Sequence, residues 1–305
     1  MFGIYFGKYL IDNGIITEKQ YSDLLRKTKN SKVRMGLLAI ETGLMTEEQA
    51  MEVNHLQQQE DKRFGDIAVE MGYLMDDDVI DLLDRQGDPY LLFIQQLLDD
   101  GLMTLDQIRK ELINYRKAMG FTALDIDAIK TGDVDRIIPI FLKSYDIPTY
   151  IKNYILLTSR NIVRFVDRFF RMEKVQKITE YETPLCAMQH VVGEYRFYVA
   201  ICGDDKGIEK LARGFASTVF PSDIEVEVED TLDATGEFIN CNDGLYATGL
   251  SDRNINLIVE TPVMKSNPVR LSAKDHMYRV PLFIEEQPLD LIVCFEDDSF
   301  SMEDI

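Results

Sequence analysis

At 305 residues and 46% apolar content, the chain is long enough for two domains with separate cores and is no candidate for wholesale disorder. Its 53 acidic against 33 basic residues give a net charge of -20, which opposes contact with nucleic-acid backbones or anionic lipid, and no basic patch offsets it. No apolar run approaches the ~20 residues that span a bilayer, and no signal-type region follows Met1. The sequence therefore reads as cytoplasmic, with no nucleic-acid partner and no membrane insertion.

The first third is periodic. Gly14, Gly43, Gly72 and Gly101 recur every 29 residues inside "DNGIIT", "ETGLMT", "EMGYLM" and "DDGLMT", and Gly7, Gly36 and Gly65 keep the same period. Each unit reads as a short helix stopped by a left-handed glycine, a two-residue apolar link and a second helix. Thr17, Thr46 and Thr104 are followed three residues later by Gln20, Gln49 and Gln107, the pattern of a capping box. The third unit departs, with Met75 and Asp78 in those places. Residues 1–126 are thus expected to be an all-helical stack of four helix-turn-helix units.

The repeat then stops, and residues 127–138 read as a linker. Beyond it, residues 139–305 read as a separate α+β domain. "IPTYIKNYILLTSRNIVRFVDRFFRM" has helical spacing throughout, with Pro148 at its start. "CAMQHVVGEYRFYVAICG" reads as a hairpin pivoting at Gly193 and Glu194, "DDKGIEKLARGFASTVF" as a helix, and "INLIVETP" as a strand. "HMYRVPLFI" and "LDLIVCFE" form a closing strand pair. The tail "EDDSFSMEDI" is charged enough to be a solvated end.

Cys186, Cys202, Cys241 and Cys294 have no metal or disulfide spacing and read as buried, reduced thiols, while His55, His190 and His276 lack helical ligand partners, so no protein-held metal is expected. Walker, G-x-G-x-x-G and G-x-S-x-G patterns are absent. Catalysis would have to come from carboxylate, carboxamide or hydroxyl groups. One helix offers them: in "DTLDATGEFINCNDG", Asp233, Glu237 and Asn240 lie at i, i+4 and i+7 and Gly244 at i+11, within roughly 60° of arc. The stripe is flanked by Ala234, Phe238, Cys241 and Leu245 on one side and by Leu232, Ile239 and Tyr246 on the other. A narrow exposed ridge on a buried helix is expected, although a polar stripe also suits a plain solvated face. Glu-x-x-Asn is short enough to recur by chance, and does so at Glu111 and Asn114. Only the Glu237 copy also has an acid four residues before it and a proline, Pro262, 22 residues after its Asn.

At these residues the sequence resembles the chemotaxis phosphatases of the CheC, CheX and FliY group, whose signature is Asp or Ser, three residues, Glu, two residues, Asn, and about 22 residues to a proline. A single copy looks more like CheX than like two-site CheC. The resemblance implies a CheX-like α/β sandwich-type domain over the second half, often homodimeric. It also implies a phosphorylated CheY-type receiver domain as substrate, which supplies its own Mg²⁺, so this chain needs no cofactor. Asn240 would hold the attacking water and Glu237 would pair with the receiver's lysine. Asp233 would support Glu237, Gly236 and Gly244 would let the partner approach, and Pro262 would be architectural. The repeats resemble the MshEN-like domain of type II secretion and pilus ATPases, some of which bind cyclic di-GMP through an Arg, apolar, Gly start. Arg34 with Gly36 and Arg63 with Gly65 match that start. The readings in competition are a phosphatase, a non-catalytic receiver-binding adaptor and a cyclic di-GMP-responsive scaffold.

Overall fold

The computed structural model describes residues 1–28, 31–60, 62–143, 147–217, 219–220, 225–295 and 299–305. They form two compact units, Met1–Gly132 and Asp133–Ile305.

The first unit is helical. Four pairs follow the repeat: α1 (Phe2–Asp12) with α2 (Glu18–Thr28), α3 (Met35–Glu41) with α4 (Glu47–Gln57), α5 (Phe64–Glu70) with α6 (Asp76–Asp84), and α7 (Pro89–Asp99) with α8 (Leu105–Met119). Each first helix ends the same way. Gly14, Gly43, Gly72 and Gly101 have φ of +67°, +74°, +71° and +63°. Each glycine N–H bonds the carbonyl three residues back, and the next N–H bonds the carbonyl five back, as in Gly43 to Ile40 at 3.0 Å and Leu44 to Ala39 at 2.9 Å. This closure uses up helix-end carbonyls that would otherwise be orphaned, and a left-handed φ is what a residue without Cβ adopts cheaply. At the next helix start, Thr46 and Gln49 exchange bonds of 2.8 and 3.2 Å, and Thr17 with Gln20 and Thr104 with Gln107 do the same. In the third unit only half the box exists: Asp78 accepts from the Met75 N–H, and Met75 has no oxygen to return the bond.

Residues 127–138, read from sequence as a linker, are largely helical. They complete α9 (Ala123–Thr131), whose start is capped by Thr122 and Asp125, pass through Gly132, and enter α10 (Val134–Phe141) under an Asp133 cap. The polar run that suggests a linker is the capping chemistry of two adjoining helix ends.

The second unit begins with α10 and continues through α11 (Thr149–Phe165), β1 (Phe170–Met172), β2 (Gln176–Thr183), β3 (Leu185–Gly193), β4 (Phe197–Gly203), α12 (Asp205–Phe215), α13 (Val228–Ser251), β5 (Leu257–Val259), β6 (Val263–Lys265), β7 (Val269–Ile284), β8 (Gln287–Phe295) and β9 (Ser301–Asp304). The helical spacing read through Met172 breaks at Phe165. There Asp167 accepts a bond from the Phe169 N–H at 2.7 Å, an Asx-type turn that redirects the chain into β1. The expected solvated tail is likewise corrected in part: Ser301–Asp304 pair with Ser272–Val269 of β7, while residues 296–298 of that tail lie outside the described residues.

The strands make one antiparallel sheet in the order β1-β7-β8-β4-β3-β5, with β2 and β9 on β7 and β6 on β3. Alternation divides it. Ala187, Gln189 and Val191 of β3 belong to the face covered by α11, α12 and α13, whereas Cys186 and Met188 belong to the other. On that other face the first part of β7 folds over, so that Val269, Leu271, Ala273 and Met277 pack against Cys186, Ala200, Cys202, Ile292 and Cys294. Cys186 and Cys202 are register partners with their sulfurs 3.8 Å apart. Burial pushes the Cys202 thiol well up. Cys241, by contrast, is exposed on α13, where a buried thiol was expected.

Candidate functional site

The site is built on α13. By propensity it is a poor helix, with Gly236, Gly244 and Gly249 in its 24 residues, so burial must hold it. Leu232, Phe238, Ile239, Tyr246 and Leu250 supply that burial, and Phe238 meets the Phe215 ring of α12 edge-on at 5.4 Å between centroids. Asp233, Glu237 and Asn240 are exposed in file between these flanks. The expected flank is buried only in part. Cys241 and Leu245, the latter 45% exposed, stand open. The ridge is narrow at Asp233 and broadens beyond Asn240.

Among the described residues neither Asp233 nor Glu237 has an ion-pair or side-chain hydrogen-bond partner. As carboxylates they accept and do not donate, so they cannot brace each other directly. Asn240 differs, because its Oδ1 accepts a 3.0 Å bond from Nε2 of Gln189 on β3. Gln189 is fully buried, and its second Nε2 hydrogen goes to the carbonyl of Glu260 at 2.6 Å. Both acceptors are carbonyl oxygens, which fixes the amide nitrogen of Gln189 toward them. Its Oε1 is buried without a partner, an arrangement that costs about 1–3 kcal/mol.

Glu260 precedes the signature proline. The edge chain pairs with β3 through β5 at Val191–Gly193 and through β6 at Cys186–Met188. Between these short strands the Glu260 N–H still reaches the His190 carbonyl at 3.0 Å. Pro262, which has no N–H, sits where the ladder is interrupted. It lies beneath α13: a Cβ on Gly236 would stand 3.6 Å from the Pro262 ring and 3.0 Å from Met264 Sδ. Gly236 is therefore buried against its own edge strand and is not a point of partner approach. Gly244 has no atom within 4 Å of where its Cβ would be.

Behind the ridge, α11 and α13 share a buried polar cluster. Tyr154 donates to Asp243 Oδ1 at 2.5 Å, Asn161 donates to Asn242 at 2.8 Å, and Asn242 donates to Thr158 at 3.1 Å. Asp243 Oδ2 has no partner. Desolvation pushes the Asp243 carboxyl up to about 7 despite its bond from Tyr154, and burial together with the Asp243 charge holds the Tyr154 phenol well above its ordinary value.

The remaining sequence-derived residues lie in the helical unit. Arg34 pairs with Asp99 through its guanidinium, and its backbone N–H bonds Gln95; Arg63 is exposed at the start of α5. Gly36 lies against the Phe64 ring at 3.2 Å and Gly65 against Val79 at 3.0 Å, measured from the Cβ each would carry, so both admit a neighbouring helix side chain. In the second Glu-x-x-Asn copy, Asn114 donates to the Glu111 carboxylate at 3.2 Å, and Tyr9 donates to the same group. There the amide is spent on its own glutamate.

Sequence reasoning missed Gln189 and Asp243. Gln189 was detectable in principle, as the one polar side chain in the inward phase of Ala187, Gln189 and Val191. Among the described residues no three His, Cys, Asp or Glu side chains gather as round a metal ion, and no helix is long and apolar enough to cross a membrane.

Comparison with protein-family models and with curated proteins gives no match. Among solved structures, the chain is similar to a chemotaxis protein CheX from Desulfovibrio desulfuricans, at 15% identity and a TM-score of 0.42, over 49% of this chain and 100% of that one. It is also similar to a CheC-like superfamily protein from Shewanella sp. PV-4, at 17% identity and a TM-score of 0.41, over 49% of this chain and 99% of that one. A third is a CheX–CheY–BeF3–Mg²⁺ complex from Borrelia burgdorferi, at 14% identity and a TM-score of 0.34, over 48% of this chain and 97% of that one.

Proposed function

We propose that the chain accelerates hydrolysis of the aspartyl phosphate on a CheY-type receiver domain, with the α13 ridge as the working surface. The observation that carries this reading is the pair Glu237 and Asn240, exposed one turn apart, with the Asn240 carboxamide tied to a buried amide beneath it. A free carboxylate can dock a cation. A fixed neutral dipole can orient a water molecule without taking its proton. The receiver brings the activated acyl phosphate, the Mg²⁺ and the charge stabilisation, so in-line placement of water is the part left for this chain to supply.

Glu237 docks the receiver's lysine. Exposed pairs of this kind contribute about 0.2–1 kcal/mol, and more once a closing interface removes water. Charge reversal tests it most sharply: Glu237→Lys is expected to abolish both complex formation with a phosphorylated receiver and acceleration of its decay, and a receiver whose lysine is replaced by glutamate should restore part of the binding. Unaltered affinity in Glu237→Lys would remove the docking role. Glu111→Ala and Asn114→Ala, in the second copy, should leave both quantities unchanged.

Gly244 gives a second, independent test. Gly244→Ala and Gly249→Ala both add a methyl group where nothing lies within 4 Å, and each should stabilise the helix by about 1 kcal/mol in urea unfolding. Only Gly244 shares the ridge, so only Gly244→Ala should also weaken receiver binding. Equal binding by both variants would show that the partner does not reach that far along α13.

A further inference from the structure

We infer that Gln189 is a positioning residue for the proposed hydrolysis: it holds the Asn240 carboxamide with its oxygen turned toward the sheet and its –NH2 turned outward to the partner. The inference rests on the functional reading above and adds to it a residue outside the Asp233, Glu237, Asn240, Pro262 pattern.

Four observations converge on it. Gln189 occupies an inward strand position, between Ala187 and Val191, where the surrounding face is apolar and an aliphatic side chain would pack without leaving a buried oxygen unpaired. Its two amide hydrogens are both used, one on Asn240 Oδ1 at 3.0 Å and one on the Glu260 carbonyl at 2.6 Å. Rotating the Gln189 amide by half a turn would set oxygen against two oxygens, so only one orientation is compatible with its surroundings. Among the described residues, finally, nothing accepts from Asn240 Nδ2, which therefore remains available to a ligand. A surface asparagine ordinarily samples several rotamers and both amide orientations. Here one oxygen lone pair is already engaged from below, which selects the orientation before the partner arrives.

The consequence is chemical as well as geometric. With Oδ1 anchored, the outward group is a hydrogen-bond donor, so Asn240 would hold the attacking water through the water's oxygen, or steady a phosphoryl oxygen, and would not draw off a proton. The same Gln189 ties Asn240 to the Glu260 carbonyl. The signature helix and the edge chain that carries Pro262 are thereby held in one register, which gives the long spacing between Asn240 and Pro262 a physical reason.

The test is Gln189→Met in the full chain, since methionine keeps the length and volume and removes both donors. Three readouts are taken together: the order parameter of the Asn240 side-chain amide, assigned by its loss in Asn240→Ala; the thermal midpoint; and the separate kcat and KM for a phosphorylated receiver. Wild type should show a side-chain order parameter near that of the rigid backbone, about 0.85, and the variant a value below about 0.6. The variant should keep or raise the midpoint, lower kcat by roughly tenfold, and leave KM unchanged. An Asn240 amide equally ordered in both proteins overturns the inference, as does a wild-type kcat in a folded Gln189→Met. A fall in midpoint with kcat and KM moving together would also overturn it, by assigning Gln189 to general packing. If wild type itself fails to accelerate decay, the functional reading falls, and the order parameter alone then decides whether Gln189 holds Asn240.

Discussion

Asn240→Ala is expected to bind a phosphorylated receiver as wild type does and to lose acceleration of its decay by a factor on the order of 10² or more. Removing the amide removes no charge and little buried surface, because the side chain is exposed, so the docking contribution proposed for Glu237 should be untouched. In the proposed mechanism, what is lost would act only when water must be held in line with the phosphorus. Such a contribution lowers kcat and kcat/KM alike and leaves binding alone. Asn240→Asp sharpens the prediction. It keeps the shape and can still accept from Gln189, but presents an anionic oxygen where the –NH2 was, so it should be as slow as alanine or slower. Decay followed at saturating chain, with affinity measured separately by titration, checks both variants. A wild-type rate in either one would remove Asn240 from the chemistry.

The second large effect is on stability. Asp243→Asn should be more stable than wild type above neutral pH and should flatten the dependence of stability on pH between about 4 and about 7. In the native state Asp243 keeps its proton up to about 7, whereas in the unfolded chain it releases it near ~3.9. Its contribution is therefore fully present below the unfolded value and is lost as pH rises through the folded one. That loss is on the order of 4 kcal/mol for a group this deeply buried. The titratable group facing it is Tyr154, whose phenol titrates far above this window and whose hydroxyl can still donate to the oxygen of an asparagine. Urea unfolding of both proteins at several pH values between 4 and 8 measures the difference. Parallel pH profiles would show that Asp243 is ionised in the native state. Because Asp243 lies one turn beyond Asn240 and faces α11, the same ionisation would loosen the packing that holds the ridge.

What could be read in advance follows the range of the interactions concerned. The repeat was legible because a left-handed glycine and a Thr-x-x-Gln box act within six residues, and Gly14, Gly43, Gly72 and Gly101 close their helices alike. The ridge was legible because helical spacing alone aligns Asp233, Glu237 and Asn240. Strand β2 was not, since Gln176–Thr183 is mostly exposed and owes its place to pairing with β7 roughly a hundred residues away. Strand β9 was hidden behind its charge for the same reason. The bond from Gln189 to Asn240 spans 51 residues, and no local pattern announces it beyond one polar residue in the inward phase of an apolar strand. The burial of Gly236 likewise depends on Met264 and Pro262, which reach it only once the edge chain has returned beneath the helix.

The measurement that bears most directly on the central claim is the first-order loss of phosphate from phosphorylated receiver domains, followed at rising concentrations of the full chain. For at least one receiver encoded in the same genome, the rate is expected to climb with added chain, to saturate, and to return to the unassisted value when Asn240→Ala is substituted for wild type. A rate that stays at the unassisted value for every such receiver, or one that climbs equally with Asn240→Ala, would contradict it.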